Sequence, residues 1–498
     1  MEQEVVTRNS SDVKLSMGEK VAFAGTNLAC GGAQVLVAGV YLVFLVLNGL
    51  DASLASTIMM IAQIMGSFLS PIVSLISDNT RTKWGRRKPY IFVGSLFFIF
   101  VFAMILIPLN GIANDSVKFA YYLISYLAYS AVNPFIGVPY TAMASELTSN
   151  YREKNNVNTL RMLASSFSSC VSSVIPIFLL DLLYSNTLTL NQFSILMICG
   201  FGIFYTIPMF FTVAMCKERI PIPKDKYKLT LKNFLQPLKL KPFVLLLLLY
   251  CATFVGMDVF TSNLVFLVNY GLGIDKFPSF VFVLITTSVG IFMTPVFNIL
   301  MRKGYSKSVL YRAGIPLYLA SLTLLIFCPT TGYEFFTLIF LFTFALGMCC
   351  CQTLPWFIFP DVVDMGELKF GERKVGPYMG LMMLCRKTLS AIAIGIWGFV
   401  LDSVNFAAPV TDPTTGYVTV FSQPESAIWG IKLSSFVPIV ICAIVAIIVS
   451  SKLKLSKNKT ELITKILNTK TEDATCDVKS NLTEEELKLY NEVLKDIS

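Results

Sequence analysis

The sequence of 498 residues contains no histidine. Histidine is the commonest proton shuttle near neutral pH and a common metal ligand, so its absence argues against both kinds of site. Charged residues make up only 14% of the chain, against about 25% in a typical globular protein. The twelve cysteines form no CxxC pair, and the run Cys349-Cys350-Cys351 lies in an apolar segment where packing is its expected role. We therefore expect no enzyme, no cofactor and no bound metal.

Long apolar runs dominate the rest of the chain, and 55% of its residues are hydrophobic. A helix of about twenty apolar residues crosses the hydrocarbon core of a membrane. Strands of a membrane barrel alternate apolar and polar residues, and these runs do not alternate. We predict an all-α membrane protein with twelve spans, at 21–48, 53–77, 90–112, 118–146, 159–183, 192–216, 243–269, 278–301, 309–329, 334–360, 377–401 and 426–451.

A polar stretch rich in lysine and proline separates the sixth span from the seventh. It divides the spans into two six-helix bundles. The predicted organisation is an N-terminal segment at 1–20, a first bundle at 21–216, a central linker at 217–242, a second bundle at 243–451 and a tail at 452–498.

Positive charge predicts the orientation of the spans, because cytoplasmic links carry an excess of lysine and arginine. The links after even-numbered spans hold these residues, as in the run RTKWGRRK at 81–88, whereas the links after odd-numbered spans hold only Lys118 and Lys276. Both termini, the central linker and the tail are thus predicted to be cytoplasmic. The same role in topology accounts for the net charge of +9, so we expect no nucleic-acid partner.

A weak internal repeat supports the division into two halves. PYTAMASEL at 139–147 follows span four, and PWFIFPDVVD at 355–364 occupies the corresponding place after span ten. Each has a proline, an aromatic residue, small or apolar residues and then a carboxylate. Transporters are commonly built from repeated halves with the substrate held near the bilayer midplane.

Two ionisable residues fall well inside predicted spans. Asp258 lies near the middle of span seven, and Lys387 lies within span eleven, next to Arg386. Ionisable groups at this depth are costly and usually face a cavity or one another. We predict that Asp258 and Lys387 bind the solute and serve in coupling. The alternative is an ion pair between the two that only holds their helices together.

Neutral polar and aromatic residues inside the spans are further candidates for solute binding. Each amide is also suited to an interhelical hydrogen bond, and each ring to ordinary packing. The candidates are Asn27, Gln34, Gln63, Asn133, Tyr140, Asn263, Gln352, Trp356 and Tyr378.

Three motifs resemble one family of membrane carriers. They are SDNTRTKWGRRKP at 77–89, VPYTAMASELTSNYREKNNVNTLR at 138–161 and PDVVDMGELKFGERKVGPYMGLMMLCRKTLS at 360–390. The third is the most specific, and its Val-Asp-x-Gly-Glu core resembles the family's link between spans ten and eleven. The family is that of the glycoside-pentoside-hexuronide cation symporters of the major facilitator superfamily, typified by melibiose permease.

The resemblance implies a carrier of two helical bundles that works by alternating access. It also implies a cytoplasmic gate of oppositely charged side chains at helix ends, with Gly85 in a tight turn. Each exposed pair contributes little, so a network has to share the work. The implied gate residues are Asp78, Gly85, Arg86, Arg87, Glu146, Arg161, Asp361, Asp364, Glu367 and Arg373.

The family's solute-binding residues carry over only in part. Its lysine in span eleven falls on Lys387, and its arginine in span five falls on Arg161. Its sugar-contacting aspartate in span four falls on Gly137, and its aspartate in span one falls within 27–30, where no carboxylate occurs. With the cations kept and the acids gone, we expect an anionic sugar, such as a hexuronide or a sulfonated sugar.

The family's site for the coupling cation is altered as well. Its two aspartates in span two fall on Gly66 and Ser70. Sodium is a hard cation that prefers oxygen ligands, including carboxylates. We therefore expect coupling to protons rather than to sodium, with no metal site.

The predicted function is secondary active transport of a sugar or glycoside. The alternatives are a lipid or lysolipid transporter of the same fold and an uncoupled facilitator. The partners we expect are a small-molecule solute and the lipid bilayer, with the protein acting as a monomer. The style of the resemblance and the lack of a targeting segment at the N-terminus favour a bacterial inner membrane as its location.

Overall fold

The computed structural model describes most of the chain. The described residues are 15–144, 147, 151–218, 231–272, 277–303, 307–327, 334–371 and 375–452, together with 459, 462, 463, 466, 486, 487 and 489–492 of the tail.

Long helices make up nearly all of this part of the chain, as the apolar runs predict. The helices are α1 (Met17–Leu47), α2 (Ala52–Asn79), α3 (Lys88–Ile105), α4 (Asp115–Met143), α5 (Tyr151–Tyr184), α6 (Leu190–Met215), α7 (Leu231–Leu235), α8 (Lys241–Phe266), α9 (Ser279–Arg302), α10 (Lys307–Phe327), α11 (Glu334–Phe370), α12 (Val375–Ser403) and α13 (Glu425–Lys452). A 3₁₀ turn at Gln236–Lys239 precedes α8, and a π-helical segment at Leu267–Leu272 continues it.

Local capping residues fix several helix starts. The Ser16 side chain accepts a hydrogen bond from the Glu19 backbone N–H at the start of α1. At the start of α6, Thr189 and Gln192 form a reciprocal capping box. Such caps satisfy backbone N–H groups that have no partner within the helix.

Ten of the described helical segments are long and apolar enough to cross a membrane. All of them coincide with predicted spans, so the prediction of an all-α membrane protein is confirmed. The fourth and eighth predicted spans form α4 and α9 but do not meet this criterion over their described residues. In α4 the reason is its polar content, which includes five tyrosines and Asn133.

Two helices extend well beyond their predicted spans. The fifth span was expected from residue 159, but α5 begins at Tyr151. The tenth was expected to end at residue 360, but α11 continues to Phe370. The Val-Asp-x-Gly-Glu motif is therefore helical and is not a link, which corrects the expectation. The helix ends only before Gly371, whose φ of +76° breaks the helical conformation.

The chain divides into two compact units. The first comprises Met1–Leu50, Ile61–Lys228 and Pro409–Val420, and the second comprises Asp51–Met60, Leu229–Ala408 and Phe421–Ser498. Each half of the sequence thus contributes a short segment to the unit formed mainly by the other half. The cytoplasmic assignments of the termini, linker and tail stay predictions.

Small residues allow the helices of the first unit to pack closely. A Cβ added to Gly32 of α1 would lie 2.1 Å from Ser168 Oγ of α5. The Ser168 hydroxyl donates a hydrogen bond of 2.6 Å to the carbonyl oxygen of Leu28. Glycine and serine are the residues that favour such helix contacts in membranes, where there is no hydrophobic force between helices.

A short antiparallel hairpin lies between α12 and α13. Its strands are β1 (Val410–Thr411) and β2 (Val418–Thr419), with Val410 opposite Thr419 and Thr411 opposite Val418. By its contacts this hairpin belongs to the first unit, although both flanking helices belong to the second. Conversely, the first turns of α2 belong to the second unit, although the rest of α2 belongs to the first. The Ser56 hydroxyl of α2 donates a 3.2 Å hydrogen bond to the carbonyl oxygen of Gly395 in α12.

Candidate substrate sites in the two units

In the first unit, three predicted residues from three helices come together. The Asn27 amide of α1 donates a 2.7 Å hydrogen bond to the carbonyl oxygen of Arg161 in α5. The Arg161 guanidinium lies 5.0 Å from the ring centroid of Tyr140 in α4. Tyr140 is fully buried, and its hydroxyl donates to the carbonyl oxygen of Phe23 at 2.9 Å. Tyr140 is therefore placed to position Arg161, with its hydroxyl already occupied.

Arg161 keeps an unused hydrogen-bond donor. Its Nε is buried and has no partner among the described residues. No carboxylate of the described residues lies within 4 Å of its guanidinium. A cation inside a spanning helix is costly when it is unpaired, so Arg161 suits an acceptor oxygen of a solute.

A small cavity of about 50 Å³ lies beside this group of residues in the first unit. It brings together Gln34 of α1 and Asn133 of α4, with Cys30, Phe98 and Gly137 also in its wall. A water site needs about 10–15 Å³ on the same measure, so the cavity has room for a few waters and not for a whole sugar. The Asn133 amide donates to the Tyr129 carbonyl of its own helix at 3.1 Å.

In the second unit, Asp258 of α8 forms an ion pair with Arg386 of α12. The Arg386 Nη2–H donates to Asp258 Oδ1 at 2.8 Å and its Nε–H to Oδ2 at 3.1 Å. The Ser390 hydroxyl donates to the same Oδ2 at 2.6 Å. The two charged side chains are 31% and 25% exposed, so the pair is partly open.

The ion pair of Asp258 is not the one that the sequence analysis gave as an alternative to solute binding. That alternative paired Asp258 with Lys387, but no carboxylate lies within 4 Å of the Lys387 amine in the described part of the chain. The roles of Asp258 and Lys387 in solute binding and coupling stay predictions. Consecutive helical residues point about 100° apart, so Arg386 and Lys387 cannot face α8 equally. Arg386 and Ser390 are four residues apart and share one face. The planar guanidinium also matches both carboxylate oxygens, which an amine does not.

One aromatic ring lies against the Arg386 guanidinium, and two more pack on that ring. Its Cζ lies 4.4 Å from the ring centroid of Phe254, one turn before Asp258 on α8. The Phe254 ring contacts Tyr250 at 4.5 Å and Trp356 at 6.4 Å between centroids. Of the three, Trp356 is the exposed one, at 37%. The sequence analysis named Trp356 but missed Tyr250 and Phe254, because aromatic residues are too frequent in this chain to stand out.

Two further predicted residues lie in the same unit. The Gln352 amide of α11 contacts the Met257 sulfur of α8. Asn263, further along α8, is 1% exposed, and its amide nitrogen has no hydrogen-bond partner among the described residues. Neither contacts the Asp258–Arg386 pair by a hydrogen bond in the described structure, so their role in solute binding stays a prediction.

The span-two positions that the family uses for its coupling cation hold no acid here. A Cβ added to Gly66 would lie 3.0 Å from the carbonyl oxygen of Ser130 and 3.1 Å from its Cβ. The close approach of α4 thus fills the space that a carboxylate side chain at this position would need. Among the described residues, no cluster of three or more acidic or cysteine side chains suits a metal ion.

The predicted gate region of the first unit is ordered by an acid that the sequence analysis missed. The Glu218 carboxylate, which follows α6, accepts backbone N–H groups of Arg86 and Arg87 at 2.8 and 2.9 Å and of Lys88 at 3.1 Å. It thereby caps the start of α3. Gly85 has a φ of +106°, in agreement with the predicted tight turn. Glu218 was missed because it lies in the polar linker, where carboxylates are common.

The other gate residues are placed as follows. The Arg87 side chain is 3% exposed and donates from Nη1 to the Ser77 hydroxyl at 2.8 Å. Asp361, Asp364 and Glu367 lie in the last turns of α11. The side chain of Asp78 and the residues Glu146 and Arg373 lie outside the described part of the chain. The gate as a network therefore stays a prediction.

The helical architecture and the charged groups inside its spans define a class of protein: a multi-pass membrane transporter. The chain belongs to the family of MFS/sugar transport proteins, whose pattern it matches over residues 22–457. Curated relatives carry symporter and sugar-transporter names, which confirms the resemblance to glycoside-pentoside-hexuronide symporters.

Three relatives illustrate the family. An uncharacterized symporter of Synechocystis sp. is 25% identical, with 86% of this chain and 92% of the relative covered. The isoprimeverose transporter of Lactiplantibacillus pentosus is 23% identical over 85% of each chain. A putative sulfoquinovose importer of Escherichia coli (strain K12) is 22% identical, with 92% and 95% covered.

Solved structures of transporters share the fold. The nucleoside transporter NupG superimposes with a TM-score of 0.59 at 11% identity, covering 89% of this chain and all of NupG. At this identity the likeness concerns the fold alone. Family and structural neighbours are transporters and not enzymes, so the predicted class of function is confirmed.

Proposed function

We propose that the protein transports an anionic sugar or glycoside by alternating access across a bacterial inner membrane. One observation carries the anionic part. Asp258 neutralises Arg386 through two hydrogen bonds, whereas Lys387, the next residue of α12, has no carboxylate within 4 Å among the described residues. The three groups together keep one positive charge. A charged side chain inside the membrane is retained for a partner, and a carboxylate or sulfonate of the solute is the partner that fits.

The first unit supports the same choice. Arg161 also has no carboxylate within 4 Å among the described residues, and its buried Nε has no hydrogen-bond partner among them. The position of the family's sugar-binding acid is Gly137, where an added Cβ would meet only Cys30 Sγ, at 4.0 Å, among the residues that the structure describes. Gly137 therefore leaves space where the family has an acid, and it contributes no negative charge that would repel an anionic solute.

The names of the relatives agree with a sugar or glycoside as solute. They include transporters of isoprimeverose, lactose and, putatively, sulfoquinovose, which is a sulfonated sugar. A sulfonate is a close electrostatic analogue of a carboxylate. We extend the sugar class to this chain on the basis of shared family, and the preference for an anion on the basis of Lys387 and Arg161.

We also propose coupling to protons, with Asp258 as the group that takes and releases the proton. Coupling through sodium in the manner of the family would need carboxylate ligands, which Gly66 and Ser70 do not supply. Protonation of Asp258 would weaken its hold on Arg386 and so change the contact between α8 and α12. Collapse of a pH gradient by a protonophore should stop accumulation, and replacement of sodium by potassium should not.

The test is counterflow in proteoliposomes with two solutes that differ in one group. Methyl β-D-glucuronide carries a carboxylate where methyl β-D-glucoside carries a hydroxymethyl group. We expect the glucuronide to be preferred, and Lys387→Ala to reduce the preference by about tenfold or more, because a hydrogen bond to a charged group contributes about 1.5–3 kcal/mol. Lys387→Arg keeps the charge and is the matched control. A preference for the glucoside that Lys387→Ala leaves unchanged would overturn the proposal.

A further inference from the structure

The hairpin between α12 and α13 is anchored to the first unit by three hydrogen bonds. The Thr411 hydroxyl donates to the carbonyl oxygen of Leu47 at 2.6 Å. The Leu190 N–H donates to the carbonyl oxygen of Gly416 at 3.0 Å. The Val418 N–H donates to Oδ1 of Asn186, also at 3.0 Å.

These bonds use the free ends of helices in the first unit. Leu47 is the last residue of α1 and Leu190 the first of α6. Carbonyl and N–H groups at helix ends have no partner within the helix and need one elsewhere. Thr411 and Gly416 supply these partners, so docking of the hairpin completes the ends of α1 and α6.

The bases of the hairpin are anchored in the second unit. The Gln423 amide donates to the Ala407 carbonyl oxygen at 2.7 Å and accepts from the Ala407 N–H at 3.0 Å. The ring of Phe406 packs 5.7 Å from Phe266 and 5.3 Å from Tyr270. Both chain segments that lead to the hairpin are therefore fixed at their starting points.

Little chain separates the two sets of anchors. On one side only residues 408–410 lie between Ala407 and Thr411, and on the other only 419–422 lie between Val418 and Gln423. Extended chain reaches at most about 3.3–3.6 Å per residue, so the shorter connection spans no more than about 14 Å. Pro409 restricts this connection further, because its ring fixes φ.

All the partners lie at one end of the spans. The hairpin follows span eleven, Asn186 lies in the link after span five, Leu190 begins the helix after that link, and Leu47 precedes the link after span one. These are odd-numbered links, which the charge pattern predicts to be external. The hydrogen bonds thus join links that the predicted topology places on the same face of the membrane.

We propose that the hairpin 409–420 is a clasp that docks on the first unit in one state of the transport cycle and releases in another. The inference rests on the proposed alternating access, in which one bundle moves against the other. Because the connections at 408–410 and 419–422 are short, such movement has to break one set of anchors. The first-unit set consists of two hydrogen bonds to the two-residue strands and one to Gly416 in the turn between them, whereas the second-unit set includes a packed aromatic ring. Release therefore occurs at Thr411, Gly416 and Val418.

The first test fixes the clasp in its docked position. A Cβ added to Gly416 lies 3.2 Å from Thr189 Cβ, close to the separation of about 3.5–4.5 Å that a disulfide needs. In the double variant Thr189→Cys/Gly416→Cys, oxidation should lower counterflow of methyl β-D-glucuronide by about tenfold or more, and dithiothreitol should restore it. The single variant Gly416→Cys controls for strain, because Gly416 has a φ of +71°. Unchanged counterflow in the fully cross-linked protein would overturn the proposal.

The second test needs no solute and is independent of the substrate proposal. Single cysteines are placed at Val418, which is 2% exposed, at Val410, which is 54% exposed, and at Val46, which is fully buried in α1. In nanodiscs, where both faces are accessible, maleimide labelling is read by peptide mass spectrometry, so that native cysteines do not interfere. Release predicts that Val418→Cys is labelled about tenfold or more faster than Val46→Cys, although slower than Val410→Cys. Labelling no faster than at Val46→Cys would show that the hairpin stays docked and would contradict the clasp.

Discussion

Truncation of Asp258 or Arg386 should destabilise the protein through loss of the same ion pair. Removal of one partner from a fully buried pair costs about 3–5 kcal/mol, whereas an exposed pair contributes about 0.2–1 kcal/mol. The two side chains are 25% and 31% exposed, and the geometry is bidentate with a third hydrogen bond from Ser390. We therefore expect a coupling free energy of about 2 kcal/mol between Asp258→Ala and Arg386→Ala.

The assay is a double-mutant cycle of unfolding free energies in mixed micelles of a mild detergent and dodecyl sulfate. Lys387→Ala is the matched control, because Lys387 adjoins Arg386 in sequence but makes no ion pair with Asp258 within 4 Å. Its coupling to Asp258→Ala should stay below about 0.5 kcal/mol, the level of residues that do not interact directly. A larger coupling to Lys387 than to Arg386 would refute the assignment of the pair.

Three other predictions concern the turn regions. Gly85→Ala should cost about 2 kcal/mol or more of unfolding free energy, because φ is +106° and the new Cβ would lie 2.5 Å from Glu218 Cδ. Gly371→Ala, at φ +76° with no described atom within 4 Å of the new Cβ, should cost about 1 kcal/mol of unfolding free energy. An equal cost at both sites would contradict this reasoning. Glu218→Ala should lower the free energy of unfolding by about 1–3 kcal/mol. Glu218→Gln should lower it clearly less, because the amide oxygen still accepts hydrogen bonds from the backbone N–H groups at the start of α3. Equal losses in the two variants would contradict the capping role. Hydrogen bonds from the Thr414 hydroxyl and N–H lower the pKa of Asp412 to about 2. These hydrogen bonds stabilise the hairpin fully above the unfolded pKa of Asp412, about 3.9, and the stabilisation is lost as the pH falls through about 2. Hydrogen exchange of the hairpin, corrected for its intrinsic pH dependence, should therefore show constant protection from about pH 5 to 8. A loss of protection between about pH 5 and 8 would exclude this role for Asp412.

The spans were predictable because apolar runs of membrane length have few alternatives in a chain with so little charge. The ends of the spans were not. The early turns of α5 and the last turns of α11 are polar and helical, and hydropathy cannot distinguish such turns from a link. The hairpin was overlooked, although the β-branched pairs Val410-Thr411 and Val418-Thr419 flank a turn-forming stretch with Asp412 and Gly416.

The candidate site was predicted in part, for a reason that lies in helix geometry. Depth in the predicted span singled out Asp258, because depth follows from position along the span. To choose its partner, one has to know how α12 is rotated about its own axis. Because residues 386 and 387 are adjacent and both are cations, the sequence does not show which of them faces Asp258. The spacing of Arg386 and Ser390, four residues apart, was the available signal for a polar face toward α8.

The central claim is that Lys387 and Arg161, which have no carboxylate within 4 Å among the described residues, recognise a negative charge on a sugar. Equilibrium binding of methyl β-D-glucuronide and methyl β-D-glucoside to the purified protein, measured by calorimetry, tests it most directly. We predict that the glucuronide binds about tenfold or more tightly than the glucoside, and that Lys387→Ala removes most of this difference. Equal affinities in the wild-type protein, or a preference for the glucuronide that survives in Lys387→Ala, would contradict the account.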